Sequence, residues 1–182
     1  MLLIINASPR DGEVLQSIYA PYVTQTAVTF EHTAPTVQEF TRRIETIQNG
    51  GYPYLKAVED GTVLGYAYAA PFKNRAGYAH SVETTIYLRP EARRQGIGRH
   101  LYRALEEALE AMGIQNMNAC IALPVEEPDP YLTNASPMFH QKCGFSMVGI
   151  FHQCAYKFDR YYNMCWMEKL LTSHSEPPKV QV

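Results

Sequence analysis

The spacing of the apolar positions changes several times along the chain, and each change marks a different predicted element. The opening run MLLII predicts a first strand. Two segments, 11–23 and 36–51, then carry apolar residues three and four positions apart, which predicts two amphipathic helices. We expect Asp11 and Thr36 to cap these helices and Pro21 to bend or end the first one.

A period of two follows and predicts a sheet. Two apolar runs separated by Glu59-Asp60-Gly61 indicate a hairpin, and SVETTIYL alternates so that Val82 and Thr84 face one way and Glu83 the other. The pattern then indicates helix, strand, short helix and a closing antiparallel pair. The first of these helices should pack through Leu101, Leu105, Ala108, Leu109 and Met112. This order predicts one α/β domain with a mixed sheet over 1–171, followed by a flexible polar tail over 172–182.

Composition and charge exclude several classes of partner. The chain has 182 residues, 46% apolar and 19% charged, with a formal net charge of −2, so nothing indicates a nucleic acid or an anionic membrane surface. No apolar stretch approaches the length of a membrane span. The four cysteines have neither C-x-x-C nor zinc-site spacing, so we expect no disulfide and no metal. Free thiols suit a reducing compartment, and we expect a cytoplasmic protein.

One stretch, LRPEARRQGIGRHLYRALEEALEAMG, concentrates arginines and glycines between a strand and a helix. Glycines let the backbone approach an anion, N–H groups at a helix start point towards it, and arginine adds charged donors. A Walker A loop is excluded because no Gly-Lys-Ser/Thr triplet exists, and a dinucleotide fingerprint is excluded because Leu101 replaces its third glycine. On spacing alone, a solvated basic turn is an equal alternative to a phosphate site.

The context of this loop resembles a known family. Arg93-x-x-Gly96-x-Gly98 before an amphipathic helix is similar to the pyrophosphate loop of the GNAT N-acetyltransferases, and NASPMFHQKCGF is similar to their second signature. IYAPYVTQTAVTF, APFKNRAGYAHSVETTIYL and CAYKFDRYYNMCWMEK resemble the phosphinothricin acetyltransferase group within that family. The resemblance covers about residues 18 to 170. It implies the acyl-CoA N-acyltransferase fold, a central splayed mixed sheet flanked by helices.

The same resemblance implies acetyl-CoA as cosubstrate, without a metal. The pantetheine arm would pair with the backbone of one strand, and the pyrophosphate would lie on the glycine loop. The implied contacts are Ile86, Tyr87, Leu88, Arg93, Arg94, Gln95, Gly96, Ile97, Gly98 and Arg99. The family usually places an asparagine where this chain has Thr133, and EEPDPYL is inserted just before that position. The contact with the arm is therefore expected from a neighbour, either Asn134 or Ser136.

Acetyl transfer to an amine needs a base, a donor for the developing oxyanion and a fate for the thiolate. The resemblance assigns the base to Glu83, acting directly or through water; an edge carboxylate in solvent is the plain alternative. It assigns His140 to protonation of the thiolate or to the proton path, although a lone histidine on such a helix is otherwise a packing or surface residue. The backbone N–H of Leu88 is the expected oxyanion donor.

The acceptor amine is expected opposite the acetyl-CoA. By resemblance Phe30, Lys73, Arg75 and Tyr78 belong to that side, with parts of YKFDRYY. Lys73 and Arg75 would suit an acidic group on the acceptor, or they form a solvated basic turn. The aromatic residues near the C-terminus indicate core or a dimer interface, and the relatives suggest a homodimer.

The predicted function is acetyl-CoA-dependent N-acetylation of a small amino acid or analogue, such as phosphinothricin or methionine sulfoximine, by direct transfer in a ternary complex. A second possibility is acetylation of a polyamine, an aminoglycoside or a protein N-terminus; the Lys73/Arg75 pair argues against a cationic acceptor. A third is a non-catalytic CoA-binding module on the same fold, against which the presence of Glu83 argues.

Overall fold

The structure, a computed structural model, describes residues 1–173; of the expected tail, residues 174–182 lie outside the described part. The strands are β1 (Leu2–Asn6), β2 (Tyr54–Glu59), β3 (Thr62–Pro71), β4 (Ser81–Leu88), β5 (Asn116–Leu123), β6 (Ser146–Lys157) and β7 (Arg160–Leu170). The helices are α1 (Gly12–Gln25), α2 (Val37–Asn49), α3 (Ile97–Ala111) and α4 (Ala135–Lys142). All seven strands belong to one sheet, in the order β1-β2-β3-β4-β5-β7-β6.

The middle of the sheet is forked. β4 and β5 are parallel, whereas the other neighbouring strands are antiparallel. Their pairing begins at Ser81↔Asn116 and stops at Glu83↔Asn118, although β4 continues to Leu88 and β5 to Leu123. β5 stays paired with β7 along its whole length, so the divergence lies between β4 and β5. The predicted splayed mixed sheet is confirmed.

The two faces of the sheet carry different cores. α3 packs on one face through Leu101, Leu105 and Leu109, which are all fully buried. The prediction that Met112 joins them is wrong: its side chain is 44% exposed, because α3 ends at Ala111 and the chain turns away there. α1 and α2 cover the other face, where their apolar residues meet a group of tyrosines from β2, β3 and β4.

The helix termini follow the prediction in part. Thr36 caps α2, since its hydroxyl accepts the Glu39 N–H at 3.1 Å. Asp11 makes no such cap; its carboxylate instead accepts the Ser8 N–H at 2.8 Å and pairs with Lys56 at 2.5 Å. Pro21 does not end α1, which runs on to Gln25 with Tyr22 and Val23 buried in the turn after the proline.

Three further observations concern expected absences. Within residues 1–173 no helix is both long enough and apolar enough to cross a bilayer. The four cysteines are free thiols. The same part of the chain holds no group of three or more His, Cys, Asp or Glu residues placed to bind a metal ion.

Candidate active site

The fork exposes backbone groups of β4 that a closed sheet would use. Arg89 N–H donates to the Leu64 carbonyl at 2.8 Å, so in the continuous antiparallel register the odd-numbered residues of β4 bond to β3. Ile86 and Leu88 therefore turn their N–H and C=O groups towards the fork, beyond the last pair with β5. The N–H and C=O of Tyr87 point towards β3, where Tyr66 is its partner. This argues against the expected pairing of the Tyr87 backbone with the pantetheine arm.

A cavity of about 220 Å³ opens at this fork. Its walls come from β4, β5, α4, β7 and the segment after α1, and include Phe30, Glu83, Thr85, Ile86, Cys120, Ser136, His140 and Met164. Glu83 is half-buried where the two strands separate. Burial raises the pKa of its carboxyl above the ordinary value, and the positive charge of Lys73 acts in the opposite direction. The same cavity is therefore lined by Glu83, the expected base, and by Ile86 and Ser136, which are expected to contact acetyl-CoA.

His140 lies in the cavity wall with both ring nitrogens engaged. Its Nδ1 is 2.8 Å from the Ser136 carbonyl oxygen, which can only accept, so Nδ1 carries the proton. Nε2 then accepts from the Tyr102 hydroxyl at 2.7 Å. The side chain is 4% exposed, and burial lowers the pKa of His140 to about 4. The ring is therefore a neutral imidazole near pH 7.

The arginine–glycine loop has the shape of an anion site. Arg94 (φ 63°) and Gly96 (φ 82°) are both left-handed, and α3 starts directly after them. Alternation of this kind turns successive N–H groups to one side, and the first turn of α3 adds N–H groups that have no partner inside the helix. A Cβ on Gly98 would lie 3.0 Å from the Phe139 ring, so a larger residue would force that ring to shift, and glycine suits the close packing of α3 on α4.

The expected acceptor residues separate into two groups. Phe30 lines the cavity. The Lys73 ammonium lies 5.4 Å from the centre of the Trp166 ring, and Trp166 is the β7 partner of the cavity residue Cys120. Arg75 and Tyr78 lie on the exposed turn beyond, where Tyr78 packs edge-on against Phe72.

Two expected contacts do not fit the geometry. Leu88 lies five residues from Glu83 along an extended strand, about 17 Å away. It is not in the cavity wall, and its carbonyl accepts the Tyr22 hydroxyl at 2.5 Å. An oxyanion donor must lie within hydrogen-bond distance of the reacting carbonyl, so this geometry argues against the role expected of Leu88. Asn134, just before α4, turns its amide to Glu127 in the inserted loop, and of the two residues expected to contact the arm only Ser136 lines the cavity.

Sequence reasoning missed several cavity residues. Cys120 faces Glu83 across the fork; although its side chain is accessible from the cavity, shielding from bulk water raises its pKa to about 12. Leu132, in the inserted loop, is buried in the wall, and the neighbouring Tyr131 carbonyl accepts the Ala27 N–H at 3.0 Å. Lys157, which belongs to the YKFDRYY segment expected on the acceptor side, is buried and donates to the carbonyl of the cavity residue Thr29 at 2.7 Å. The alternation in β5 could have placed Cys120, whereas the loop contacts carry no local signal.

Comparison with protein families gives a match over most of the chain. The family described as "Acetyltransferase (GNAT) domain" matches residues 4–166. This range contains the forked strands, the arginine–glycine loop and α4.

Individual proteins agree with this match. The phosphinothricin N-acetyltransferase of Streptomyces coelicolor is 36% identical over 166 residues, covering 89% of this chain and 92% of that protein. An L-methionine sulfoximine/L-methionine sulfone acetyltransferase of Salmonella typhimurium is 27% identical over 178 residues, covering 94% and 95%. Among solved structures, a GNAT superfamily phosphinothricin acetyltransferase from Sinorhizobium meliloti in complex with AcCoA aligns with a TM-score of 0.89 and 32% identity, covering 100% of this chain and 95% of that one.

Proposed function

The chain belongs to the GNAT acetyltransferase family, and on this premise we propose how it acts and on what. The enzyme is an N-acetyltransferase that uses acetyl-CoA as cosubstrate. The acceptor class is the primary amine of a small amino acid or analogue, with phosphinothricin and methionine sulfoximine as representative members, as the names of the relatives suggest. The observation that carries the mechanism is the half-buried carboxylate of Glu83 at the point where β4 and β5 separate.

Glu83 is the proposed base. An acceptor amine is an ammonium ion near neutral pH, and it must lose a proton before it can attack. A carboxylate whose pKa is raised by burial is a better proton acceptor than one in water, and its position in the cavity wall allows contact directly or through one water. The positive charge of Lys73 acts on Glu83 in the direction opposite to burial and favours its ionised form.

Residues of β4 and the arginine–glycine loop would hold acetyl-CoA. The fork-facing backbone of Ile86 suits the amide-bearing pantetheine arm, with Ser136 on the opposite wall, and the backbone of Leu88 would join it once the Tyr22 hydroxyl that contacts its N–H and C=O is displaced. The N–H groups from Arg94 to Gly98 suit the pyrophosphate, whereas the Arg99 N–H already donates to the Gly96 carbonyl at 3.0 Å. The side chains of Arg93, Arg94 and Arg99 add positive charge. Ile86 lines the cavity, so its N–H replaces that of Leu88 as the proposed donor to the reacting carbonyl oxygen.

His140 is proposed to act as a neutral group. Because its pKa is lowered to about 4, it cannot serve as an imidazolium acid near pH 7. Its contact with the Tyr102 hydroxyl instead makes a hydrogen-bonded pair beside the thiolate position, as part of the proton path.

Direct transfer in a ternary complex is the proposed route. Cys120 is the cysteine in the cavity wall, and its raised pKa keeps it a protonated thiol, a poor nucleophile. An acetylated cysteine is therefore not required. Phe30 would contact the acceptor, and Lys73, with Arg75 and Tyr78 at the rim, would receive its acidic group.

A homodimer formed through β6 is the proposed assembly. β6 is an edge strand, and Met147, Val148, Ile150 and Phe151 on it are between 43% and 58% exposed. A long apolar edge of this kind favours pairing with another chain, and a two-fold axis would cover both copies. Light scattering should give twice the chain mass for wild type and for Met138→Lys, a control on the exposed side of α4, but a lower mass for Phe151→Glu. A monomeric wild type would contradict the proposal.

The free thiols fit a cytoplasmic location.

The acceptor proposal is tested by free-thiol release from acetyl-CoA with a panel of amines. The panel comprises phosphinothricin, methionine sulfoximine, the standard amino acids, spermidine, an aminoglycoside and short peptides. We expect turnover confined to small amino acids or their analogues. Turnover confined to spermidine, the aminoglycoside or peptides would refute the acceptor class while leaving the enzyme class intact.

A further inference from the structure

A second cavity of about 110 Å³ lies beneath α1 and α2, on the sheet face that carries Glu83. Its wall contains five tyrosines, Tyr19, Tyr54, Tyr66, Tyr68 and Tyr87, together with Glu31 and Arg43. A water molecule needs roughly 10–15 Å³ of such space, so the cavity has room for several waters among hydroxyl groups. A hydroxyl-rich cavity inside a core is unusual because purely apolar packing would fill the space at lower cost.

The two cavities share a wall. Thr85 and Tyr87 line both of them. Thr85 is the direct partner of Tyr68 on β3, and its hydroxyl is close enough to the Tyr68 phenol to act on the pKa of that phenol. Glu83 lies two residues before Thr85 on the same face of β4, and its charge acts on the Tyr68 phenol. Tyr68 and Thr85 therefore lie between the proposed base and the second cavity.

The second cavity also has an outer end. The Tyr19 hydroxyl is 2.8 Å from the hydroxyl of Thr29, a residue of the catalytic cavity, and 3.1 Å from the Glu31 carboxylate. The Glu31 side chain is 36% exposed and accepts from Arg43 at 2.7 Å. A continuous set of hydroxyl groups thus leads from the catalytic cavity to a carboxylate in contact with solvent.

The proposed reaction needs such an exit. In each turnover the C–S bond of the thioester breaks and a C–N bond forms, while the ammonium acceptor gives up two protons. One proton ends on the departing thiol and the other must reach bulk water. The second proton is taken by Glu83 while the acceptor fills the mouth of the catalytic cavity, so a route away from that mouth would return Glu83 to its ionised form before product leaves.

We propose that the tyrosine-lined cavity is the proton exit of the enzyme, with Tyr68 and Thr85 as its entrance from Glu83 and Glu31 as its outer end. The inference rests on the proposed function, because it assumes that Glu83 accepts the acceptor's proton. Tyr68 and Thr85 are positioning residues here, since they act on the proton held by Glu83 and on water that would occupy the second cavity.

The test compares Tyr68→Phe, Thr85→Val and Thr85→Ser with wild type on the best acceptor of the panel. Loss of either hydroxyl should lower kcat by about tenfold and leave KM for both substrates nearly unchanged. In both variants kcat should rise with added imidazole, which can carry the proton instead, and the solvent isotope effect on kcat should exceed that of wild type. Thr85→Ser, which restores a hydroxyl, should recover most of the rate lost in Thr85→Val.

A variant that merely packs badly would lose rate without rescue by imidazole and without a larger isotope effect; that result would overturn the inference. Unchanged kcat in Tyr68→Phe, with an active wild type, would overturn it as well and leave the proposed function standing. A wild type that acetylates nothing in the panel would overturn the proposed function and this inference together.

Discussion

Replacing His140 by glutamine should weaken the pH dependence of the free energy of unfolding between about pH 6.5 and pH 4. In the folded protein the ring is 4% exposed and its pKa is lowered from 6.5 to about 4 by burial. In the unfolded chain it titrates near the ordinary value. Between these two pKa values the unfolded state binds more protons, so stability conferred by neutral His140 is complete above about pH 6.5 and is lost as the pH falls towards 4.

The size of the effect follows from the shift. A difference of about 2.5 pKa units corresponds to roughly 3 kcal/mol over the whole window, with a slope of at most about 1.4 kcal/mol per pH unit. Glutamine can still accept from Tyr102 but does not titrate. The variant should be less stable than wild type near pH 7, because packing and one hydrogen bond are lost, and the difference should shrink as the pH falls.

Urea unfolding between pH 7 and pH 4 measures this directly. His32→Gln provides the matched control, because that side chain is exposed in the folded protein and lies outside β6, so its removal should leave the slope of wild type. If the His140→Gln and wild-type curves run parallel through the window, the imidazole is not buried as a neutral ring and the assignment of its two hydrogen bonds fails.

Two further perturbations test the packing behind the site. Gly98→Val should destabilise the protein by about 1–3 kcal/mol and weaken acetyl-CoA binding, since a Cβ would meet the Phe139 ring at 3.0 Å; an unchanged melting temperature would show that the contact relaxes freely. Leu105→Ala should cost about 2–5 kcal/mol in chemical denaturation because the side chain is fully buried, whereas Glu107→Ala on the exposed side of α3 should stay within about 0.5 kcal/mol; equal effects would argue against the assigned face.

Much of the fold was predictable because local patterns and tertiary contacts agree. The alternation of SVETTIYL and the leucine spacing of α3 are satisfied in the structure, as are the hairpin turn and the Thr36 cap. Pro21 was misleading because propensity describes an isolated helix, whereas burial of the turn after it holds α1 together.

The site was predictable only where residues follow one another in a motif. The arginine–glycine loop and Glu83 belong to such motifs. Cys120 and Leu132 enter the cavity through the fork and an inserted loop, which sequence spacing does not encode. The motif offered Leu88 as the oxyanion donor, whereas distance along an extended strand favours Ile86, whose amide lies nearer to Glu83.

The most direct test of the central claim is the kcat of Glu83→Gln, measured by thiol release beside the binding of acetyl-CoA to the same protein. The account predicts that kcat falls by about 100-fold or more, while acetyl-CoA affinity stays within about twofold of wild type, because the amide keeps the shape of the cavity but cannot accept the proton. A Glu83→Gln variant that retains the wild-type kcat would show that the carboxylate at the fork is not the base.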